Sequence, residues 1–169
     1  MKKVVTLSLL TILGASAINA NAIPPTIYTD ASNTENRVYA GIVFDLDGSD
    51  GFVPDVVLGF RSLHVNSSDS VDGADLSARV SYGKHDKGIV FDSARLVYVG
   101  GDRNVMGNIG IGYSHTHASF IGTAAIQGPY TRIGSDFEFG KNKFEPYLEI
   151  NTLDKVNNVD KTATLPPPV

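Results

Sequence analysis

The stretch that most limits what this chain can become runs from Ala74 to Lys84, ADLSARVSYGK. Ala74, Leu76, Ala78, Val80 and Tyr82 alternate with Asp75, Ser77, Arg79, Ser81 and Gly83. A period of two is the period of a β-strand, whose successive side chains leave opposite faces. One face is continuously apolar. The other offers small or polar groups and one arginine, so the two faces are made for different media.

The same division recurs along the chain. From Arg37 to Leu46, Val38, Ala40, Ile42 and Phe44 oppose Arg37, Tyr39, Gly41, Val43 and Asp45. From Pro54 to His64, Val56, Leu58 and Phe60 oppose Asp55, Gly59 and Arg61. From Ile89 to Val99 the pattern falters, because Asp92 shares a face with Val90, Ala94, Leu96 and Tyr98. A bulge or a rim position at Asp92 would restore it. Asn104 to His115 alternates again, and Ala118 to Gln127 is apolar on both faces, which leaves its register open. Thr131 to Phe139 and Phe144 to Asn151 complete the series. Turn-forming clusters such as Asp47 to Gly51 and Gly100 to Arg103 separate the segments. About eight strands of about ten residues, consecutive and joined by short turns, form a meander that closes on itself. The expected fold is all-β, a single eight-stranded antiparallel up-and-down β-barrel.

The ends of the chain set its expected address. Lys2 and Lys3, the apolar run Val4 to Gly14, and Ala20-Asn21-Ala22 have the form of a secretory signal peptide over residues 1–22. That run is too short for a membrane-spanning helix, which needs about 20 residues. Any membrane crossing must therefore be by strands. Residues 23–36 read as an irregular lead-in, 37–153 as the barrel, and 154–169 as a flexible Pro-rich tail. Cleavage would leave 147 residues and move the net charge from −4 to −6. One acidic domain without a basic patch argues against nucleic acid as a partner. The chain has no Cys, so an exported form cannot be held by disulfides, and thiol catalysis and thiolate metal sites are excluded.

Alternation alone does not say which face is inside, since a soluble barrel turns its apolar face inward and an outer-membrane barrel turns it outward. Five of the six arginines, Arg37, Arg61, Arg79, Arg95 and Arg132, lie within strands on the polar face, while the lysines beyond residue 22 fall at turns, strand ends or the tail. A narrow interior suits guanidinium groups, which make planar bidentate contacts with carboxylates. The partners expected there are Asp45, Asp75, Asp136, Glu138 and Glu149, with glycine and serine leaving room. Aromatic residues near strand ends on the apolar face fit the girdles of a membrane barrel. In this pattern, over residues 37 to 151, the chain resembles the small OmpA/OmpX-type outer-membrane barrels. The resemblance implies a barrel in outer-membrane lipid, inserted by the barrel-assembly machinery, with no cofactor and no catalysis, and a structural or surface-interaction role. The alternative is a soluble periplasmic barrel that binds a small apolar ligand in a lumen lined by Leu58, Phe60, Val80, Ile109 and Ile111.

The densest polar cluster is Tyr113 to Ser119, YSHTHAS. His115 and His117 share a face in extended structure and, with His85 at the same barrel end, are the only histidines placed to share a metal ion. Turn histidines in water are the simpler account. His117-Ala118-Ser119 is loosely similar to the His-x-Ser element of the outer-membrane lipid A deacylases, which implies a serine nucleophile and a histidine base. Phe120 stands where that family carries asparagine, and no acid stands at a matching spacing. The carboxylates Asp136, Glu138, Glu145 and Glu149 oppose inward arginines and are expected in salt bridges rather than in acid-base catalysis.

Overall fold

A computed structural model describes residues 27–48, 53–82 and 88–164. Ten strands are present among them: β1 (Ile27–Thr29), β2 (Ser32–Asp45), β3 (Asp55–Asn66), β4 (Ser70–Tyr82), β5 (Ile89–Asp102), β6 (Met106–Ser114), β7 (Ser119–Gly128), β8 (Thr131–Glu138), β9 (Lys143–Asn151) and β10 (Thr162–Thr164). Strands β2 to β9 pair antiparallel with their chain neighbours, and β9 returns to β2 to close an eight-stranded barrel. Closure removes the unpaired edges that an open sheet would present.

The faces are sorted as the arginine argument expects. Arg61, Asp75, Arg79, Arg95, Arg132, Asp136 and Glu149 are buried inside, and Asp75 and Glu149 are 0% exposed. The apolar residues stand outside, with Val38 81%, Ile109 65% and Ile111 66% exposed. The apolar lumen of the soluble alternative is not what these residues form: Leu58, Phe60, Ile109 and Ile111 are exposed, and Val80 lies on the outward side of β4. The physical reason is that eight strands enclose space for little more than one set of side chains, and here the arginines and carboxylates fill it.

Asp92 is the extra residue of a β-bulge. Arg79 pairs with Ser93 and Val80 with Phe91, so Asp92 has no partner across the ladder. The inserted residue reverses the parity of β5, placing Phe91 outside and Ser93 and Arg95 inside. In β7, whose composition leaves its register open, Ser119, Ile121, Thr123 and Gln127 are inward and Phe120 and Ile126 outward.

Both described chain ends reach the same barrel end, together with the turns at 67–69, 103–105 and 129–130. This is the sealed end. Inward Leu63, Val65, Val71, Val99 and Met106 form an apolar cluster there with Val156. The flexible tail expected over 154–169 is thus corrected for its described part: Val156 is buried, and Thr162–Thr164 pairs with Ile27–Thr29. The irregular lead-in is corrected likewise, since β2 begins at Ser32. Residues 32–40 of β2 run past the end of β9, and the chain after Asn151 lies alongside them. Ala40 N donates to Thr152 Oγ1 at 3.2 Å, and Asn157 N to Glu35 Oε2 at 3.1 Å. The expected signal peptide lies outside the described residues.

The opposite end carries the β2–β3, β4–β5, β6–β7 and β8–β9 connections. Phe44, Tyr82, Phe91, Tyr113, Phe120, Phe137, Phe139 and Phe144 all lie at this end. Rings touch along the rim: Tyr113 meets Phe120 edge-on at 5.5 Å, and Phe137 meets Phe139 at 5.1 Å and Phe144 at 4.8 Å. Between this belt and the sealed end the outward positions, such as Ala74 to Val80 on β4 and Ile109 and Ile111 on β6, are apolar.

Candidate functional site

The interior is organised as two polar layers, each built around a tyrosine. In the layer nearer the sealed end, Asp75 on β4 is the hub. Its Oδ1 accepts from Tyr39 Oη at 2.8 Å, and its Oδ2 accepts from Arg61 Nε and Nη2 at 3.0 and 2.7 Å and from Arg132 Nη2 at 2.9 Å. Both guanidinium groups also flank the Tyr39 ring, each 5.8 Å from its centre. The ring has room because Tyr39 pairs with Gly59 across β2 and β3, where a Cβ would run into it. Arg132 Nη1 donates to Glu149 Oε2 at 3.2 Å, Asn151 Nδ2 donates to Glu149 Oε1 at 2.7 Å, and Leu153 N donates to Asn151 Oδ1 at 3.0 Å. A continuous line of hydrogen bonds therefore joins the hub to the segment beyond the last barrel strand. Two cations face two carboxylates here, and Asp75 Oδ2 alone takes three charge-assisted hydrogen bonds, contacts that offset part of the desolvation cost of a buried ion pair.

Gln127 completes this layer. Its Oε1 accepts from Arg132 Nε and Nη2 at 3.2 and 3.1 Å, from Asn108 Nδ2 at 3.3 Å and from Arg61 Nη2. Sequence reasoning misses it because β7 is apolar on both faces. The signal lies in the turn: Pro129-Tyr130 joins β7 and β8, and Gly128 pairing with Thr131 fixes every pair behind it, including Gln127 with Arg132.

The layer nearer the open end surrounds Tyr147. Arg79 and Arg95 approach its ring at 5.6 and 5.5 Å. Arg79 Nη1 pairs with Asp45 Oδ1 at 3.1 Å, Arg79 Nε lies 3.8 Å from Asp55 Oδ2, and Arg95 pairs with Asp136. Arg37, expected in the interior with the other four, stands apart. It is part-exposed at the sealed end and pairs with Glu35 and Asp154. The reason is its position in the part of β2 that outruns β9, where the chain after the barrel supplies the partner.

Above the second layer a cavity of about 200 Å³ opens at the barrel end. Among its lining residues are Asp45, Asp92, Arg79, Arg95, His117 and Glu145. His117 sits in the 115–118 turn, where its backbone N donates to Ser114 Oγ at 3.2 Å. Its Nδ1 lies 3.1 Å from Oε2 of Glu138, whose side chain is 1% exposed. The acid with no matching spacing in sequence is therefore present in space: Ile121 pairs with Glu138, so the end of β8 comes up beside the turn before β7.

The rest of the hydrolase constellation does not assemble. Ser119 is buried on the inner face. Its Oγ accepts from Gly140 N at 2.8 Å and donates to Phe120 O at 3.1 Å rather than to His117. Of the histidines considered for a metal, His115 is exposed beside Phe91 at 6.2 Å between rings, and His85 lies outside the described residues. The structure brings His117 together with carboxylates instead. No protein-family model, no curated protein and no solved structure matches this chain.

Proposed function

We propose that the chain is an outer-membrane barrel of a Gram-negative envelope, delivered by its signal peptide, inserted with help from the barrel-assembly machinery, and serving a structural or surface-interaction role without catalysis. The observation that carries this reading is the inversion of the two faces: arginines and carboxylates are buried, and a continuous band of Val, Leu, Ile and Ala stands exposed all round. Monomeric soluble proteins rarely expose apolar patches beyond a few hundred Å². The nine residues Ala74 to Tyr82, rising about 3.3 Å each along a strand tilted by about 40°, cover about 20 Å of depth. That is close to the apolar band of membrane barrels, and the aromatic belt at the open end supplies one interface. The interior supports a structural role rather than a pore, because the hub and the apolar cluster fill its cross-section.

Envelope fractionation tests this reading. The protein is expected to resist an alkaline wash, to partition with the outer membrane, and to migrate differently when unheated and boiled. Release with the soluble periplasm and no change on boiling would overturn it.

A further inference from the structure

We propose that His117, Glu138 and Glu145 form a binding site for a divalent cation of the zinc type at the open end of the barrel. One ligand atom from each lies within 4.8 Å of the others. A tetrahedral zinc ion with bonds of about 2.0–2.1 Å holds its ligand atoms about 3.4 Å apart. His117 Nδ1 and Glu138 Oε2 already stand at 3.1 Å, so closure asks for about an ångström of movement from Glu145. Three elements position the groups: the turn before β7, the last residue of β8, and the third residue of β9. The register fixes them, since Glu138 pairs with Lys143 and Asp136 with Glu145.

The second observation is the state of Glu138. Its side chain is 1% exposed, and neither of its carboxylate oxygens accepts a hydrogen bond from the described residues. A buried carboxylate without hydrogen bonds is costly unless a cation is bound to it. The nearest ammonium, Lys141 Nζ, is a loose contact at 3.4 Å on a half-exposed side chain, able to swing into water. Lys143 Nζ is held mainly by Asp47 Oδ2 at 2.6 Å and makes only a looser contact, at 3.6 Å, with Glu145 Oε1. The adjoining cavity is lined by six carboxylates against four arginines and lysines, a balance that draws cations. One imidazole nitrogen with two carboxylate oxygens suits zinc and its late first-row neighbours better than magnesium or calcium, which take oxygen ligands. Three protein ligands leave a fourth position for water. The site does not depend on which medium surrounds the barrel.

The test uses the full chain without an oligohistidine tag, solubilised in detergent, with Zn²⁺ titrated against a chromophoric chelator. One equivalent is expected to bind, and Co²⁺ is expected to show the visible bands of a tetrahedral nitrogen-oxygen site. His117→Ala and Glu145→Gln, both at part-exposed positions, are expected to weaken binding about ten-fold or more, at least the loss that accompanies removal of a mere supporting group. They should do so with unchanged mobility of the unheated barrel. Lys141→Ala, which removes the competing ammonium, is expected to tighten binding. Absence of stoichiometric Zn²⁺ binding, wild-type affinity in both His117→Ala and Glu145→Gln, or weaker binding in Lys141→Ala would each overturn the proposal.

Discussion

Asp75 and Asp136 are both inward carboxylates facing arginine, in the same barrel and a few residues apart in depth, yet their surroundings differ. Asp75 accepts four hydrogen bonds of 3.0 Å or less, from a tyrosine and two arginines. Asp136 meets Arg95 through one oxygen, while among the described residues Oδ1 accepts no hydrogen bond and Arg95 Nε donates none. The first lies on the side of the apolar cluster that closes the sealed end; the second borders the open cavity. The ion pair behind the apolar seal has both carboxylate oxygens hydrogen-bonded, whereas the one beside a cavity of about 200 Å³ leaves two buried polar atoms without hydrogen-bond partners among the described residues. The difference separates a closed end whose central carboxylate is fully paired from an open end where pairing is incomplete.

The sharpest way to break this comparison is to remove each carboxylate in turn. Asp75→Ala leaves Arg61 and Arg132 facing each other without it, and is expected to cost about 3–5 kcal/mol in urea unfolding of the vesicle-inserted protein. Asp136→Ala is expected to cost about half as much or less, and equal losses would erase the distinction between the two ends. The outward neighbour of the hub tests the medium outside: Leu76→Arg is expected to destabilise by about 2–4 kcal/mol in lipid, since Leu76 lies midway along β4. An effect near zero in vesicles would place that face in water. Leu153 is buried against Tyr39, Val43, Val57 and Tyr147. Leu153→Ala is expected to cost about 2–3 kcal/mol and to leave Zn²⁺ affinity unchanged, which separates the seal from the open end. The smallest effect is expected from Lys143→Ala, whose partly exposed pair with Asp47 is worth less than about 1 kcal/mol by the same unfolding measurement.

Much of this was legible in the sequence. The period of two located most of the barrel strands, Ala118 to Gln127 being apolar on both faces, and the segregation of arginine from lysine indicated which face was enclosed. At Asp92 the break in the alternation was visible but its cause was not, because a bulge and a rim position leave the same mark on the pattern. Three features were hidden for physical reasons. Gln127 sits in a strand whose faces are equally apolar, so pattern could not assign its side. Val156 and its neighbours have no alternation to read, because they pack against a barrel end rather than in a sheet. The approach of Glu138 to His117 depends on counting back from the Pro129-Tyr130 turn, a register that hydrophobicity does not encode but hairpin geometry does. Of the three histidines weighed for a metal, His85 lies outside the described residues, and the carboxylates beside His117 come from neighbouring strands that its own segment does not reveal.

The seam between β2 and β9 constrains how such a molecule is made. Only Gly41 to Asp45 of β2 meet β9, and the rest of β2 is flanked by the chain beyond Asn151. The edge of the first barrel strand that faces away from β3 therefore stays unpaired until β9 and the chain after it have been brought round. A ring has no stable half. Every shorter precursor carries two unpaired borders and an apolar exterior until the stretch from β9 onward arrives to lock the join.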